Sequence, residues 1–219
     1  MRVLIGCEES QAVCIAFRKL GHEAYSCDLQ ECSGGHPEWH LQMDVFAAIE
    51  LIKPKLFIGH PPCTYLSNAG ACRMYPSKGI IDNNRLALAM EAKEFFMRLL
   101  QLDIQMICLE NPLPLNIVKL PKATQTIQPY QFGHPYSKKT LLWLKGLPKL
   151  KHTKVLSEFK PYIRSNTSKN KGKFKGVKFA NSAKERSKTF LGIADAMATQ
   201  WGFLDNYIEP VKYTQGNLF

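Results

Sequence analysis

Short apolar runs, each ending on a polar or reactive residue, constrain this chain most. Val3 to Cys7 reads as a first strand, and Glu23 to Cys27 as a second that delivers Asp28. Leu56, Phe57 and Ile58 form a third run, which leads into Gly59-His60-Pro61-Pro62-Cys63. Ile104 to Leu109 is a fourth and stops at Glu110-Asn111-Pro112. Between the first two runs, Val13, Ile15, Ala16, Phe17 and Leu20 fall at helical spacing over Gln11 to Leu20, and Gly21 ends that helix. Strand, helix, strand and acid in this order open a nucleotide-binding βαβ unit. In such folds ligands bind beyond the C-terminal ends of the strands.

The turn after the first strand restricts the ligand. Asp28 stands about twenty residues after the strand's end, where these folds place an acid on a ribose hydroxyl. The glycine-rich phosphate turn is missing, and Cys7-Glu8-Glu9-Ser10-Gln11 takes its place. Two carboxylates there oppose a dinucleotide pyrophosphate. They suit a nucleoside ligand without phosphates that carries a positive charge, such as S-adenosylmethionine. Asp44 precedes a helix read over Val45 to Ile52. It either caps that helix or accepts from an adenine amino group.

Cys63 lies behind two prolines, which fix φ and stiffen the loop. It is either a buried free thiol or a nucleophile held over the crevice. Glu110 either caps its loop or, desolvated beside an apolar strand, has a raised pKa and serves as an acid. Asn84 to Leu100 is the strongest helix, with Leu86, Ala89, Met90, Ala92, Phe95, Phe96, Leu99 and Leu100 as a wide apolar face. Ile127 to Thr140 is rich in turns, Leu141 to Leu144 is a strand, and Arg186 to Trp201 reads as a closing helix.

The net charge of +11 over 219 residues is uneven. Much of it lies between Lys149 and Lys188, interleaved with Phe159, Tyr162, Phe174 and Phe179. Aromatics beside lysines suit base stacking and backbone contact, so the section reads as a nucleic-acid contact or as a solvated surface. The seven cysteines are at irregular positions, no pair has CxxC spacing, and Cys27, Cys32, His36 and His40 fit no common metal site. No signal peptide or membrane-spanning stretch is read, which implies a cytoplasmic protein with free thiols.

With these residues in hand, the chain resembles the DNA cytosine-5 methyltransferases, and more closely a compact, phage-type, methyltransferase-like branch. Pro61-Pro62-Cys63-Thr64-Tyr65-Leu66-Ser67-Asn68 is similar to the family's nucleophile motif PPCQGFSN, and Glu110-Asn111-Pro112 to its Glu-Asn-Val. Gly133-His134-Pro135-Tyr136-Ser137-Lys138-Lys139-Thr140 resembles G-x-P-Q-x-R-x-R, and Gly192 to Ala198 stands where the family has Gly-Asn-Ala-Val-Pro. Thr64 replaces the glutamine after the nucleophile, and Lys138 and Thr140 stand for the two arginines. The family's F-x-G-x-G is replaced at Cys7 to Gln11.

The resemblance implies an α/β, Rossmann-like class I S-adenosylmethionine-dependent methyltransferase fold: a mostly parallel sheet, helices on both faces and one antiparallel strand. Residues 1–146 form the catalytic domain, 147–182 a short basic insertion in place of a target-recognition domain, and 183–219 a helix completing the fold. Cys63, Glu110 and Lys138 are the implied catalytic residues. Gly6, Cys7, Glu8, Glu9, Ser10, Asp28, Leu29, Asp44, Val45, His60, Pro61 and Ala194 are implied to bind the cofactor. Ser67, Asn68, Lys169, Lys171, Lys173 and Lys175 are assigned to DNA. The alternatives are C5 modification of a pyrimidine nucleotide or RNA, or a non-catalytic nucleic-acid-binding relative of the fold.

Overall fold

The computed structural model describes residues 1–163, 180 and 182–204. Lys169, Lys171, Lys173 and Lys175 lie outside the described residues. The expected opening is present as β1 (Arg2–Gly6), α1 (Ala12–Lys19) and β2 (Glu23–Asp28). Within the stretch read as a loop and its continuation, β3 (His40–Gln42) pairs with β2. Three residues are too few for alternation or an apolar run to register. Asp44 caps α2 (Val45–Ile52), its Oδ1 accepting from the N–H groups of Phe46 at 2.9 Å and Ala47 at 3.2 Å.

Next come β4 (Leu56–Gly59), the short α3 (Ala71–Met74), α4 (Asn83–Leu100) and β5 (Met106–Pro112). The chain continues through β6 (Gln125–Ile127), β7 (Tyr136–Ser137), β8 (Thr140–Lys145) and β9 (Lys160–Pro161). It then forms α5 (Ala183–Ser187) and α6 (Leu191–Trp201).

Seven strands form one sheet in the order β3-β2-β1-β4-β5-β8-β6, while β7 and β9 pair separately. The five strands from β3 to β5 are parallel; β8 runs antiparallel to β5, and β6 antiparallel to β8. This is the expected mostly parallel, Rossmann-like sheet with one reversed strand. The strand order reverses direction between β1 and β4, so the crevice beyond their C-terminal ends is the ligand position such sheets offer.

Alternation along each strand sends side chains to two cores. Val3, Ile5, Leu56, Ile58, Met106 and Cys108 pack with α1 and α6. Leu4, Phe57, Ile107 and Leu109 pack with α2 and α4 on the other face. The apolar face of α4 is narrower than its sequence suggests. Ala89, Phe96 and Leu99 are buried, but Met90, a 100° step round from Ala89, is 40% exposed. The basic section begins as part of the main body: Leu150 is in the core, and its N–H and C=O both bond the Gln125 side chain at 2.8 Å.

Two elements differ from the sequence reading. β5 runs on through Glu110, Asn111 and Pro112, because β8 continues to pair with them beyond the end of β4. The closing helix is broken between Ser187 and Leu191. Phe190 turns extended there, and its ring packs 4.8 Å from that of Tyr162 and 5.1 Å from that of His134. The break lets α6 start against the β6–β7 connection, where the Gly192 N–H donates to His134 Nε2 at 2.9 Å. A Cβ on Gly192 would come within 2.0 Å of the Phe132 carbonyl, so only glycine lets the helix approach this closely.

That bond requires a neutral imidazole. Burial pushes the His134 pKa down, against a smaller opposing effect of Asp195. A group whose folded pKa is lowered in this way contributes fully above its unfolded value of about 6.5, and the contribution is lost as pH falls through the folded value. Thermal denaturation as a function of pH is therefore expected to show stability falling below about pH 6.5, with His134→Ala making that slope shallower. An unchanged slope in the variant would contradict this role for His134.

Candidate active site

The site is set by strand register. Cys27, Gly6, Gly59 and Leu109 stand level across β2, β1, β4 and β5. The next residue on each strand is Asp28, Cys7, His60 or Glu110. One row of polar groups therefore leaves the sheet at its C-terminal edge, centred on the reversal of strand order. The His60 N–H donates to the Gly6 carbonyl at 2.9 Å and holds the two central tips together. A Cβ on Gly6 would meet the Phe57 ring and Val45 at 2.8 Å, which keeps that turn small.

The left part of the row carries the residues expected to hold a cofactor. Glu8 is buried and turns inward, accepting from the N–H groups of Val13 at 2.8 Å and Cys14 at 3.2 Å. It thus fills the N-terminus of α1, the position where a phosphate would otherwise bind. Glu8 is spent on the helix instead of facing a ligand. Cys7 adopts a left-handed backbone with φ of 58°. Burial pushes its thiol up to about 12, and the negative charges of Asp28 and Asp44 add to that. A field this negative fits a cationic ligand. Leu29, 75% exposed beside Asp28, offers apolar surface next to the acid. Glu9 and Ser10 continue the turn, where the Glu9 carboxylate accepts from the Ser33 hydroxyl and its carbonyl from the Ser33 N–H at 2.7 Å. Val45 begins α2 and is buried, as is Pro61. Ala194 is packed in the core on α6 with its N–H bonded to the Phe190 carbonyl at 3.1 Å, so it gives the crevice no surface.

The right part holds Cys63, Glu110 and Lys138. The Cys63 carbonyl accepts from the N–H groups of Leu66 at 3.2 Å and Ser67 at 2.9 Å, so the loop after β4 is one tight turn. That turn is tied to the segment after β5 by Asn68 N–H to the Leu113 carbonyl at 2.7 Å and Leu115 N–H to the Leu66 carbonyl at 2.8 Å. Arg85 of α4 adds a clamp that no local sequence pattern signals. It donates to the Thr64 carbonyl at 2.9 Å and lies 5.0 Å over the Tyr65 ring. Of the two loop residues assigned to DNA, Asn68 is exposed, whereas Ser67 is buried beneath the loop and cannot face a polymer as it stands.

Glu110 projects toward α6 and lines a small cleft with His60, Lys138, Thr140, Phe190 and Ile193. His60 Nδ1 is 3.7 Å from Glu110 Oε2. The raised carboxyl pKa expected from sequence is corrected here. Burial alone would raise it, but His60, Lys138 and Thr140 outweigh burial and the net shift is downward. The Thr140 hydroxyl lies between that carboxylate and the Lys138 carbonyl at 3.3 Å, and it can donate to one at a time. His60, expected to bind the cofactor, is placed as the ionic partner of Glu110.

Cys63 shares this field. Burial pushes its thiol up, the negative charge of Glu110 adds to that, and Lys138 and Arg186 oppose it. Among the described residues, no group of three or more His, Cys, Asp or Glu side chains is placed to hold a metal ion, and no helix is long and apolar enough to cross a membrane.

No family model and no curated protein matches the chain. Its fold is similar to a candidate DNA modification methyltransferase encoded within a prophage (E. coli), at 12% identity and a TM-score of 0.41, over 66% of this chain and 46% of that one. It is also similar to the S. pombe Dnmt2 methyltransferase, at 13% identity and a TM-score of 0.41, over 66% of this chain and 48% of that one. A third likeness is to the Entamoeba histolytica methyltransferase EhMeth, at 13% identity and a TM-score of 0.43, over 78% of this chain and 62% of that one. In each case the chain spans less than two thirds of the other's length. What the site can do follows from this chain's own residues.

The opposing charges around Cys63 give a measurable order. Peptide-resolved alkylation by iodoacetamide against pH reports the Cys63 thiolate. Glu110→Gln is expected to move its profile to lower pH and Lys138→Gln to higher pH. A Cys63 profile indifferent to both substitutions would show that the three side chains do not share one site.

Proposed function

We propose that the chain is an S-adenosylmethionine-dependent methyltransferase that modifies C5 of cytosine in DNA through a covalent adduct of Cys63 at C6. The observation that carries this reading is the level row of strand ends. It sets a turn suited to a cation beside a thiol on the loop after β4 and a carboxylate near the end of β5. Gly6, Cys7, Asp28, Leu29 and Asp44 are the residues that would hold the cofactor. When bound, it supplies an electrophilic methyl group.

The chain's own residues supply the rest. Cytosine C5 is a poor nucleophile, and a thiolate bond to C6 makes it an enamine-like carbon. Cys63 forms that bond, and Lys138 and Arg186 favour its thiolate. Glu110 holds N3 and the exocyclic amine, and a proton passes to N3 as charge develops there. After C5 has gained its methyl group, loss of the C5 proton restores the C5–C6 double bond and expels Cys63 as thiolate. A base inside a duplex must leave the stack to reach such a cleft. Asn68 and the basic section, including Lys169, Lys171, Lys173 and Lys175, are assigned to the nucleic-acid backbone on sequence grounds.

DNA carrying 5-fluorocytosine should trap the adduct when cofactor is present, because fluorine cannot leave C5 as a proton. Cys63→Ser should abolish the adduct and leave DNA affinity nearly unchanged. Replacing the four lysines with Gln should weaken binding and reduce its log-log salt slope by roughly one unit for each phosphate no longer neutralised. Lysine replacements that leave affinity and slope untouched would move the substrate from a polymer to a free nucleotide.

A further inference from the structure

His60 is held tightly, yet the chemistry assigned to Cys63 and Glu110 gives it no task. It follows β4 at the reversal of strand order, its N–H fixed on Gly6. Its side chain is 11% exposed and that of Glu110 18%. Nδ1 faces Glu110 at 3.7 Å, while Nε2 is buried and has no hydrogen-bond partner among the described residues. Three charged groups face the ring: Glu110 from β5, Glu8 from the β1–α1 turn and Lys138 from the β7–β8 connection. Two carboxyl groups against one ammonium favour an imidazolium, with Glu110 the stronger, because burial pushes the Glu8 pKa up. Burial alone would push the ring's pKa down, but Glu110 and then Glu8 outweigh burial and Lys138, and the ring is raised.

Glu110 has the opposite problem. Its surroundings keep it ionised, so alone it holds no proton to give to N3.

We propose that His60 is a positioning residue that stores the proton Glu110 delivers to cytosine N3. The proposal rests on the methyltransferase reading above. Between turnovers Nδ1 carries the proton and Glu110 is a carboxylate. As the Cys63 sulfur bonds to C6, electron density moves to N3. As the pair closes from 3.7 Å to hydrogen-bond distance around the bound base, the Nδ1 proton passes to the Glu110 carboxylate and from it to N3, leaving a neutral imidazole. At elimination the C5 proton goes to water and the C6–S electron pair returns to Cys63. The N3 proton goes back through Glu110 to Nδ1. One proton is released per turnover and the pair is restored.

Two measurements test this, one of which needs no turnover. Nitrogen-15 spectra of the histidine rings in the free protein should show His60 still mostly protonated at pH 6.5, with Glu110→Gln lowering its titration. A His60 ring that is neutral at pH 6.5 in the wild type overturns the proposal. The second measurement is the rate of adduct formation on 5-fluorocytosine DNA against pH. His60→Gln should come close to the wild-type rate at acid pH, where Glu110 can be protonated directly, and should lose rate at least about tenfold earlier in proton concentration as pH rises. A variant slowed equally at every pH, with an unshifted profile, shows a merely structural role and also overturns it. Adduct formation by a wild type whose His60 is neutral sinks this proposal alone. Absence of any wild-type adduct across the pH range, on DNA, RNA and free nucleotide, sinks the methyltransferase reading and takes the proposal with it.

Discussion

Parallel register between β1, β4 and β5 is the constraint on which the site depends. Gly6, Gly59 and Leu109 are level, so the residues that follow them emerge at one height and within reach of one another. A slip of one residue in β5 would turn Glu110 to the α4 face and bring Asn111 to the cleft. That slip is opposed by both cores at once. Met106 and Cys108 are committed to the α1 and α6 side, and Ile107 and Leu109 to the α2 and α4 side. A buried Met, Ile or Leu side chain stabilises by roughly 1.5–3 kcal/mol, so the register of the Glu110 carboxylate is secured by residues with no chemistry of their own.

The electrostatics follow from that height. Glu8, His60, Glu110 and Lys138 act together in a largely buried region, where His60 feels the other three, and Glu110 and Lys138 also act on the Cys63 thiol. No carboxylate is left alone with its charge there. Glu8 is answered by the N-terminus of α1, and Glu110 by His60 and Lys138. Removing one partner of such an arrangement leaves an uncompensated charge and costs more than the pair contributes. For that reason conservative changes that keep a hydrogen-bonding side chain are the informative ones in this site.

Much of this was legible in the sequence. The βαβ opening, the α2 cap at Asp44 and the thiol behind two prolines are local signals, and each is where the residues put it. What was not legible depends on partners distant in sequence. The extension of β5 through Glu110 depends on β8, about thirty residues on, so the carboxylate was expected beyond the strand and with a raised pKa. The lowering of that pKa depends on His60 and Lys138, which no local pattern couples to Glu110. The clamp from Arg85 to Thr64 and the break before Leu191 are likewise tertiary. One missed signal was local: Ser182 and Glu185 form a capping box that marks the start of α5, four residues before Arg186.

The central claim is that one crevice brings a methyl donor to a cytosine held by Cys63 and Glu110. Its most direct test is nucleoside analysis by mass spectrometry after incubating DNA with S-adenosylmethionine bearing a deuterated methyl group. The account predicts labelled 5-methyldeoxycytidine from the wild type and none from Cys63→Ser. Label on a nitrogen or oxygen, or 5-methyldeoxycytidine formed equally well by Cys63→Ser, would contradict it.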